Sequence, residues 1–212
     1  MVTLIIIRHG YSIGNKEKKF SGQLDLPLDD IGYSQAKSTA EYILSHFKVD
    51  SIYSSDLSRA YETVRPVAEA LNLPIHLCTG LREVDVGLWQ GRYIEDVKKD
   101  FPESFELYRT NPGLSRFDGG ESYADVMLRS KLALETIIKD NEGKTVVIGT
   151  HGGVIRTLRA VWSGTPLQNI KDIPHVPNGS ITIAECSNGH VKLTKVGYQE
   201  HLHNQTTEEG VK

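Results

Sequence analysis

The sequence predicts an α/β protein, a three-layer α/β/α sandwich around a mostly parallel central sheet. Two β-branched apolar runs, Leu4-Ile5-Ile6-Ile7 and Val146-Val147-Ile148-Gly149, have the continuous hydrophobicity of strands buried on both faces. Segments of helical length alternate with such runs along the chain, the pattern that builds parallel sheets. Each run leads into a histidine followed by glycine, Arg8-His9-Gly10 and Thr150-His151-Gly152-Gly153. Open parallel sheets collect ligands at the carboxyl ends of their strands. Both imidazoles are therefore expected at one edge.

In chain order, Leu4 to Ile7 is the first strand, and the polar, Gly/Pro-punctuated stretch from Ser12 to Leu28 reads as a loop. Asp29 or Asp30 caps a helix to about Phe47, with Ala36, Ala40, Ile43 and Leu44 on its apolar face. Ser51 to Ser54 is a strand. Asp56 then caps a helix that carries Arg59 in its first turn and runs to about Leu71, bent or split at Pro66. Leu73 to Leu77 is a short strand, and residues 92 to 110 read as short helices interrupted by Pro102. Pro112 to Gly120 is a loop and Ser122 to Lys139 an amphipathic helix. Lys144 to Gly149 is the strand that delivers His151, and Val154 to Trp162 is helical. Ile181 to Cys186 and Val191 to Val196 form a hairpin around Ser-Asn-Gly. The polar residues after His201 read as a frayed tail.

A chain of 212 residues is long enough for one domain with a sizeable core, expected over 1–212 with 203–212 as a flexible tail. The net charge of −3 excludes a global basic footprint for nucleic acid. Cys78 and Cys186 have no metal or redox spacing, which suits a reducing cytosol, and both are expected as small core residues. The N-terminal run lacks a basic region and a long apolar stretch, so it reads as a strand and not a signal peptide. No apolar run approaches membrane-span length. The expectation is a cytoplasmic protein with neither membrane nor nucleic acid as partner.

Arginine and histidine together at a strand end suggest an anion, most simply phosphate, held beside an imidazole nucleophile. A neutral imidazole can attack phosphorus and split one displacement into two, the role expected of His9. Arg8 and Arg59 are the candidate clamps, since a guanidinium fork matches two phosphate oxygens and Arg59 lies near a helix N-terminus. His151, opening a helix with two glycines, is expected to stabilise charge on the transferring group. Glu83, in Leu81-Arg82-Glu83-Val84-Asp85-Val86-Gly87, is the candidate acid and base, with Asp85 as its alternative. His201-x-His203 is too slight a signal for a metal site, and no metal or cofactor is expected. Phe20, Gln23, Trp89, Tyr93 and Phe117 are candidate pocket linings.

Further motifs follow in order: Ser12 and Asn15, Gly22-Gln23-Leu24-Asp25-Leu26-Pro27-Leu28, Gly32 with Gln35-Ala36, and Ser54-Ser55-Asp56-Leu57-Ser58-Arg59-Ala60 with Thr63. Gly87, Trp89, Gly91, Gly119-Gly120-Glu121-Ser122 and Val154-Ile155-Arg156 complete them. With the two histidine triplets, this series resembles the histidine phosphatase superfamily, the phosphoglycerate mutase-like proteins, over about residues 3–198. The resemblance implies the phosphoglycerate mutase-like fold, phosphorylation of His9, a pocket of Arg8, Arg59 and His151, and proton donation by Glu83. It also implies phosphate contacts from Asn15 and the Gly152 backbone, and a substrate border at Ser21, Gly22 and Gln23. Tyr11 stands where many relatives carry Glu or Gln, and Ser12 where Thr is commoner; neither removes a catalytic group.

Within that family, mutases have a longer basic segment after the glutamate. Here residues 89 to 117 are short, and the cations Arg92, Lys98, Lys99, Arg109 and Arg116 are offset by Glu95, Asp96, Asp100, Glu103 and Glu106. The expected activity is metal-independent hydrolysis of small phosphorylated metabolites by a monomer or homodimer. A cofactor-dependent phosphoglycerate mutase is the alternative, and a non-catalytic phospho-ligand-binding protein the alternative of another class.

Overall fold

The computed structural model describes residues 1–203 and 205. Six strands form one sheet: β1 (Val2–Arg8), β2 (Ser51–Ser54), β3 (Ile75–Leu77), β4 (Thr145–Thr150), β5 (Ile181–Ser187) and β6 (His190–Tyr198). The spatial order is β3-β2-β4-β1-β5-β6, with β3, β2, β4 and β1 mutually parallel and β5 and β6 running antiparallel at one side. Period-two alternation divides the β1 side chains. Leu4 and Ile6 join the core under helices α6 (Tyr123–Asp140) and α7 (Gly152–Ser163). Ile5 and Ile7 join the opposite core under α2 (Asp30–His46) and α3 (Ser58–Leu71). All four are at most 1% exposed, and each contributes about 1.5–3 kcal/mol by leaving water. The expected three layers are present.

The elements follow the sequence with corrections at their ends. The expected loop 12–28 contains a short helix, α1 (Ile13–Lys16), where Ser12 and Asn15 form a reciprocal capping box. Asp29, not Asp30, caps α2 by accepting from the Gly32 N–H at 3.0 Å. Leu44 is exposed, because α2 turns the polar Gln35 and Thr39 inward beside Ala36, Ala40 and Ile43. Asp56 does not cap α3; its carboxylate takes the fork of Arg82 at 2.5 and 2.7 Å, and Leu57 stands at the cap without a side-chain bond. α3 runs unbroken through Pro66. Pro102 separates α4 (Ile94–Asp100) from α5 (Pro102–Thr110) as the first residue of the latter. α7 begins at Gly152, two residues before its expected start, because His151 is already its cap residue.

The hairpin turn is the two-residue loop Asn188-Gly189, both at positive φ, between paired Ser187 and His190. The chain is not frayed directly after His201. Glu200–Leu202 form a 3₁₀ turn, Leu202 is fully buried, and His201 Nε2 meets Thr39 Oγ1 at 3.0 Å. The remainder of 203–212, apart from His203 and Gln205, lies outside the described residues. Cys186 is buried and Cys78 half-buried, both as free thiols. No helix among the described residues is long and apolar enough to cross a membrane.

Candidate active site

β1 and β4 are adjacent and in register, with Arg8 opposite Thr150. The next residue of each strand is therefore also opposed, and the His9 and His151 ring centroids lie 5.2 Å apart. Strand spacing of about 4.8 Å sets this distance. The His9 N–H donates to the Thr150 carbonyl at 2.9 Å, which locks the two ends together.

His9 Nδ1 lies 2.7 Å from the Gly10 carbonyl. A carbonyl only accepts, so Nδ1 carries the proton and Nε2 keeps its lone pair. Burial, reinforced by the charges of Arg59 and Arg8, holds the ring well below its ordinary value of 6.5. His151 is held down by burial and then by the same arginines and His9, and its Nε2 meets Ser55 Oγ at 2.9 Å. Its Nδ1 is buried without a hydrogen-bond partner among the described residues. Both imidazoles are neutral at neutral pH.

This neutrality sets a pH limit on the fold. Each ring has a folded pKa below its unfolded value, so the unfolded chain binds more protons below pH 6.5. Stability is full above that pH and falls as pH drops, by up to about 1.4 kcal/mol per pH unit for each histidine. Urea unfolding at pH 7.5, 6 and 5 should show a steepening loss. A flat profile would contradict neutral burial of the pair.

Arg59, the second residue of α3, is 1% exposed. Nη2 donates to the Gly22 carbonyl at 2.7 Å and Nη1 to that of Leu24 at 2.8 Å, while Nε has no hydrogen-bond partner among the described residues. Arg8 Nη1 donates to the Val176 carbonyl at 2.5 Å. Burial lowers both guanidiniums to about 10, which leaves them charged. Thr63 ties this helix to the histidine loop, accepting from the Gly10 N–H at 2.9 Å and donating to the Arg59 carbonyl at 2.7 Å. The missing side chain of Gly10 admits α2, since a Cβ there would stand 2.7 Å from the Gly32 carbonyl oxygen.

Glu83 Oε1 accepts from the Gly153 N–H at 3.1 Å and from Val84 N–H at 2.9 Å. The carboxyl group thus sits at the N-terminus of α7, accepting from one of its free N–H groups. Any side chain at position 153 would collide with it, a Cβ lying 2.4 Å from Oε1. Behind the loop, Arg129 donates to the Glu83 carbonyl at 2.8 Å and to that of Arg82 at 2.7 Å, and forks onto Glu121 at 2.7 and 2.9 Å. Glu121 in turn accepts from the Asp85 N–H at 2.9 Å. Asp85 uses its own carboxylate on Gly87 N–H, at 2.9 Å, and does not line the cavity.

A cavity of about 420 Å³ gathers Arg8, His9, Arg59, Glu83, Asn15, Ser21, Gly22 and Gly152 along its walls. His151 stands behind His9, fully buried. Gln23 is not on the wall: its Nε2 donates to the Glu83 carbonyl at 3.1 Å, so it supports the loop instead of bordering a substrate. Among the five candidate linings, Phe20 and Phe117 face the cavity, Trp89 is packed in the core, and Tyr93 is exposed. A larger groove of about 570 Å³, between α6, α7 and the hairpin, holds none of these groups.

Sequence reasoning missed Asn178, Tyr108 and His175 and named Arg156 only within a motif, without a role; all four line the same cavity. Asn178 Nδ2 donates to the His9 carbonyl at 3.1 Å. Its place in Pro177-Asn178-Gly179, immediately before β5, was the available signal. No cluster of metal-ligating side chains occurs among the described residues.

Comparison with known proteins gives the family. The model of the histidine phosphatase superfamily (branch 1) matches residues 4–199. Phosphoserine phosphatase 1 of Hydrogenobacter thermophilus is 38% identical over 167 residues, 79% of each chain. A metal-independent phosphoserine phosphatase of Arabidopsis thaliana is 32% identical over 73% of this chain and 66% of its own. The solved structure of Bacillus stearothermophilus YhfR superposes with a TM-score of 0.91 at 32% identity, covering 96% of this chain and all of that one. With His9, the arginine pair and the glutamate on one cavity and His151 packed behind His9, the chain belongs to the histidine phosphatase superfamily, branch 1, and is a phosphoric monoester hydrolase.

Proposed function

We propose that the chain hydrolyses small phosphomonoesters through a phosphohistidine at His9, without a metal ion. The observation that carries this reading is the Nδ1–H to Gly10 hydrogen bond, which leaves Nε2 of a neutral imidazole facing a cavity flanked by two charged guanidiniums.

In the first step Nε2 forms a bond to phosphorus as the ester P–O bond breaks, and the leaving alkoxide takes a proton from Glu83. In the second, Glu83, now a carboxylate, takes a proton from water. The resulting hydroxide attacks phosphorus, the P–N bond breaks, and inorganic phosphate leaves with His9 neutral again. Arg8, Arg59 and the donors of His151, Asn15 and the Gly152 N–H stabilise the equatorial oxygens. These fixed charges supply what a divalent ion supplies in other phosphoryl transfers.

Hydrolysis is favoured over mutation by the state of the basic residues after Glu83. Arg92 pairs with Asp100, Lys98 with Glu95, Arg109 with Glu106 and Arg116 with Asp125. The phosphoserine-acting relatives support a small phosphorylated metabolite as substrate. The reading extends to a single domain over 1–212, acting in the cytoplasm as a monomer or homodimer without nucleic-acid or membrane partners. The net charge of −3 and the two free thiols support it.

The test is phosphate release from p-nitrophenyl phosphate and from 3-phosphoglycerate, with 2-phosphoglycerate followed alongside. Steady release without isomerisation is expected, and it should survive a strong chelator. Complete loss on chelation that added metal restores would refute the metal-free mechanism. Isomerisation outpacing hydrolysis would make the protein a mutase, and phosphate binding without turnover a binding protein.

Glu83 as acid carries its own prediction. Arg129→Met removes the groups that hold the Glu83 backbone, and a displaced acid should cost roughly tenfold to a hundredfold in kcat. p-Nitrophenolate leaves without a proton, whereas the alkoxide of phosphoserine needs one. The loss should therefore be larger with phosphoserine, and equal losses on both would mean that Arg129 serves only the fold.

A further inference from the structure

A third histidine, His175, lines the same cavity and took no part in the sequence reading. It stands in the connection before β5, exposed to the cavity mouth. Arg156, buried on α7, pins this connection by donating from Nε to the carbonyls of Ile170 at 3.0 Å and Ile173 at 2.8 Å. Its Nη1 donates to His175 Nε2 at 2.9 Å.

A guanidinium has no acceptor, so His175 Nε2 must accept, and the proton of the neutral ring is on Nδ1. That N–H has no acceptor among the described residues. It converges on the phosphate pocket, because a Cβ built on Gly152 would lie 3.5 Å from His175 Nδ1 and 3.2 Å from Arg8 Nε. Partial desolvation in the cavity and then the charges of Arg156, Arg8 and Arg159 lower its pKa from the ordinary 6.5, so the neutral donor is the form present at neutral pH.

We propose that His175 contacts the substrate, its Nδ1–H donating to an oxyanion over the first residue of α7, and that Arg156 is its positioning residue. The proposal rests on the phosphatase reading above. The oxyanion belongs either to the transferring phosphate or to a second anionic group of the substrate.

Two amide variants separate this role from loop pinning. In His175→Gln the amide reaches the position of Nε2 and keeps an acceptor for Arg156, but the Nδ1 donor is lost. In His175→Asn the amide occupies the position of Nδ1 and keeps that donor. Binding of inorganic phosphate by calorimetry is to be measured for both, with kcat and KM for p-nitrophenyl phosphate and phosphoserine.

His175→Gln should weaken binding roughly tenfold to a hundredfold, the range for a hydrogen bond to a charged group, while His175→Asn stays within about threefold of wild type. A deficit with inorganic phosphate and both esters assigns the contact to the transferring phosphate. A deficit with phosphoserine alone assigns it to a second anionic group. In His175→Gln, unchanged phosphate binding together with unchanged kinetics on both esters overturns the proposal, as do equal losses in both variants with a lowered Tm. A wild type that binds inorganic phosphate through His175 but turns over no ester would sink the phosphatase reading and leave this contact standing.

Discussion

His9→Ala is expected to abolish phosphate release, with kcat falling on the order of 10⁴-fold or more, the loss typical of removing a covalent nucleophile. No neighbouring group replaces it. His151 Nε2 is engaged by Ser55, and Glu83 is held by the Gly153 N–H. The backbone at position 9 keeps its bond to Thr150 and accepts from Asn178, so the site should survive the substitution. Circular dichroism and inorganic phosphate binding would verify that. Wild type, quenched in base during turnover of labelled substrate, should retain acid-labile phosphate, and His9→Ala none. A variant that still labels would place the nucleophile elsewhere.

Arg59→Lys should lower kcat/KM by 10²- to 10³-fold with p-nitrophenyl phosphate, the cost of removing one preorganised donor set at a developing charge. Charge is conserved, but a single ammonium cannot serve the Gly22 and Leu24 carbonyls while also facing the cavity. The Gly22 turn, at φ 50°, is part of the cavity wall, so its loosening compounds the loss of the clamp. Tm should fall as well, because buried carbonyls lose their partners. A kcat/KM within about fivefold of wild type would remove Arg59 from the phosphate pocket and leave it a structural strut.

The corrections share a physical cause. The resemblance implied Gln23 as a substrate border together with Ser21 and Gly22, and those two do line the cavity. Its side chain turns instead to the Glu83 carbonyl, 60 positions away in sequence. Asp56 had the composition of a helix cap, but an ion pair with Arg82 outcompetes a cap hydrogen bond. Leu44 has helical spacing from Ala40, yet the buried face of α2 is set by what it packs against, including Thr39 beside His201. Each local signal was sound, and each was overridden by a partner distant in sequence.

Sequence by itself determined the strands and where the two histidines emerge. Uninterrupted β-branched runs bury both faces, and residues one step past such strands must emerge at the sheet edge. His9, His151 and the α/β class follow from period and composition alone. The tertiary structure alone decided that β4 inserts beside β1 in register, which brings the imidazoles within 5.2 Å. It also decided that Arg129 and Glu121 hold the Glu83 loop, and that Arg156 turns the donor of His175 toward the pocket. Strand order and long-range hydrogen bonds depend on which surfaces meet, a property of the packed chain that no local window of residues contains.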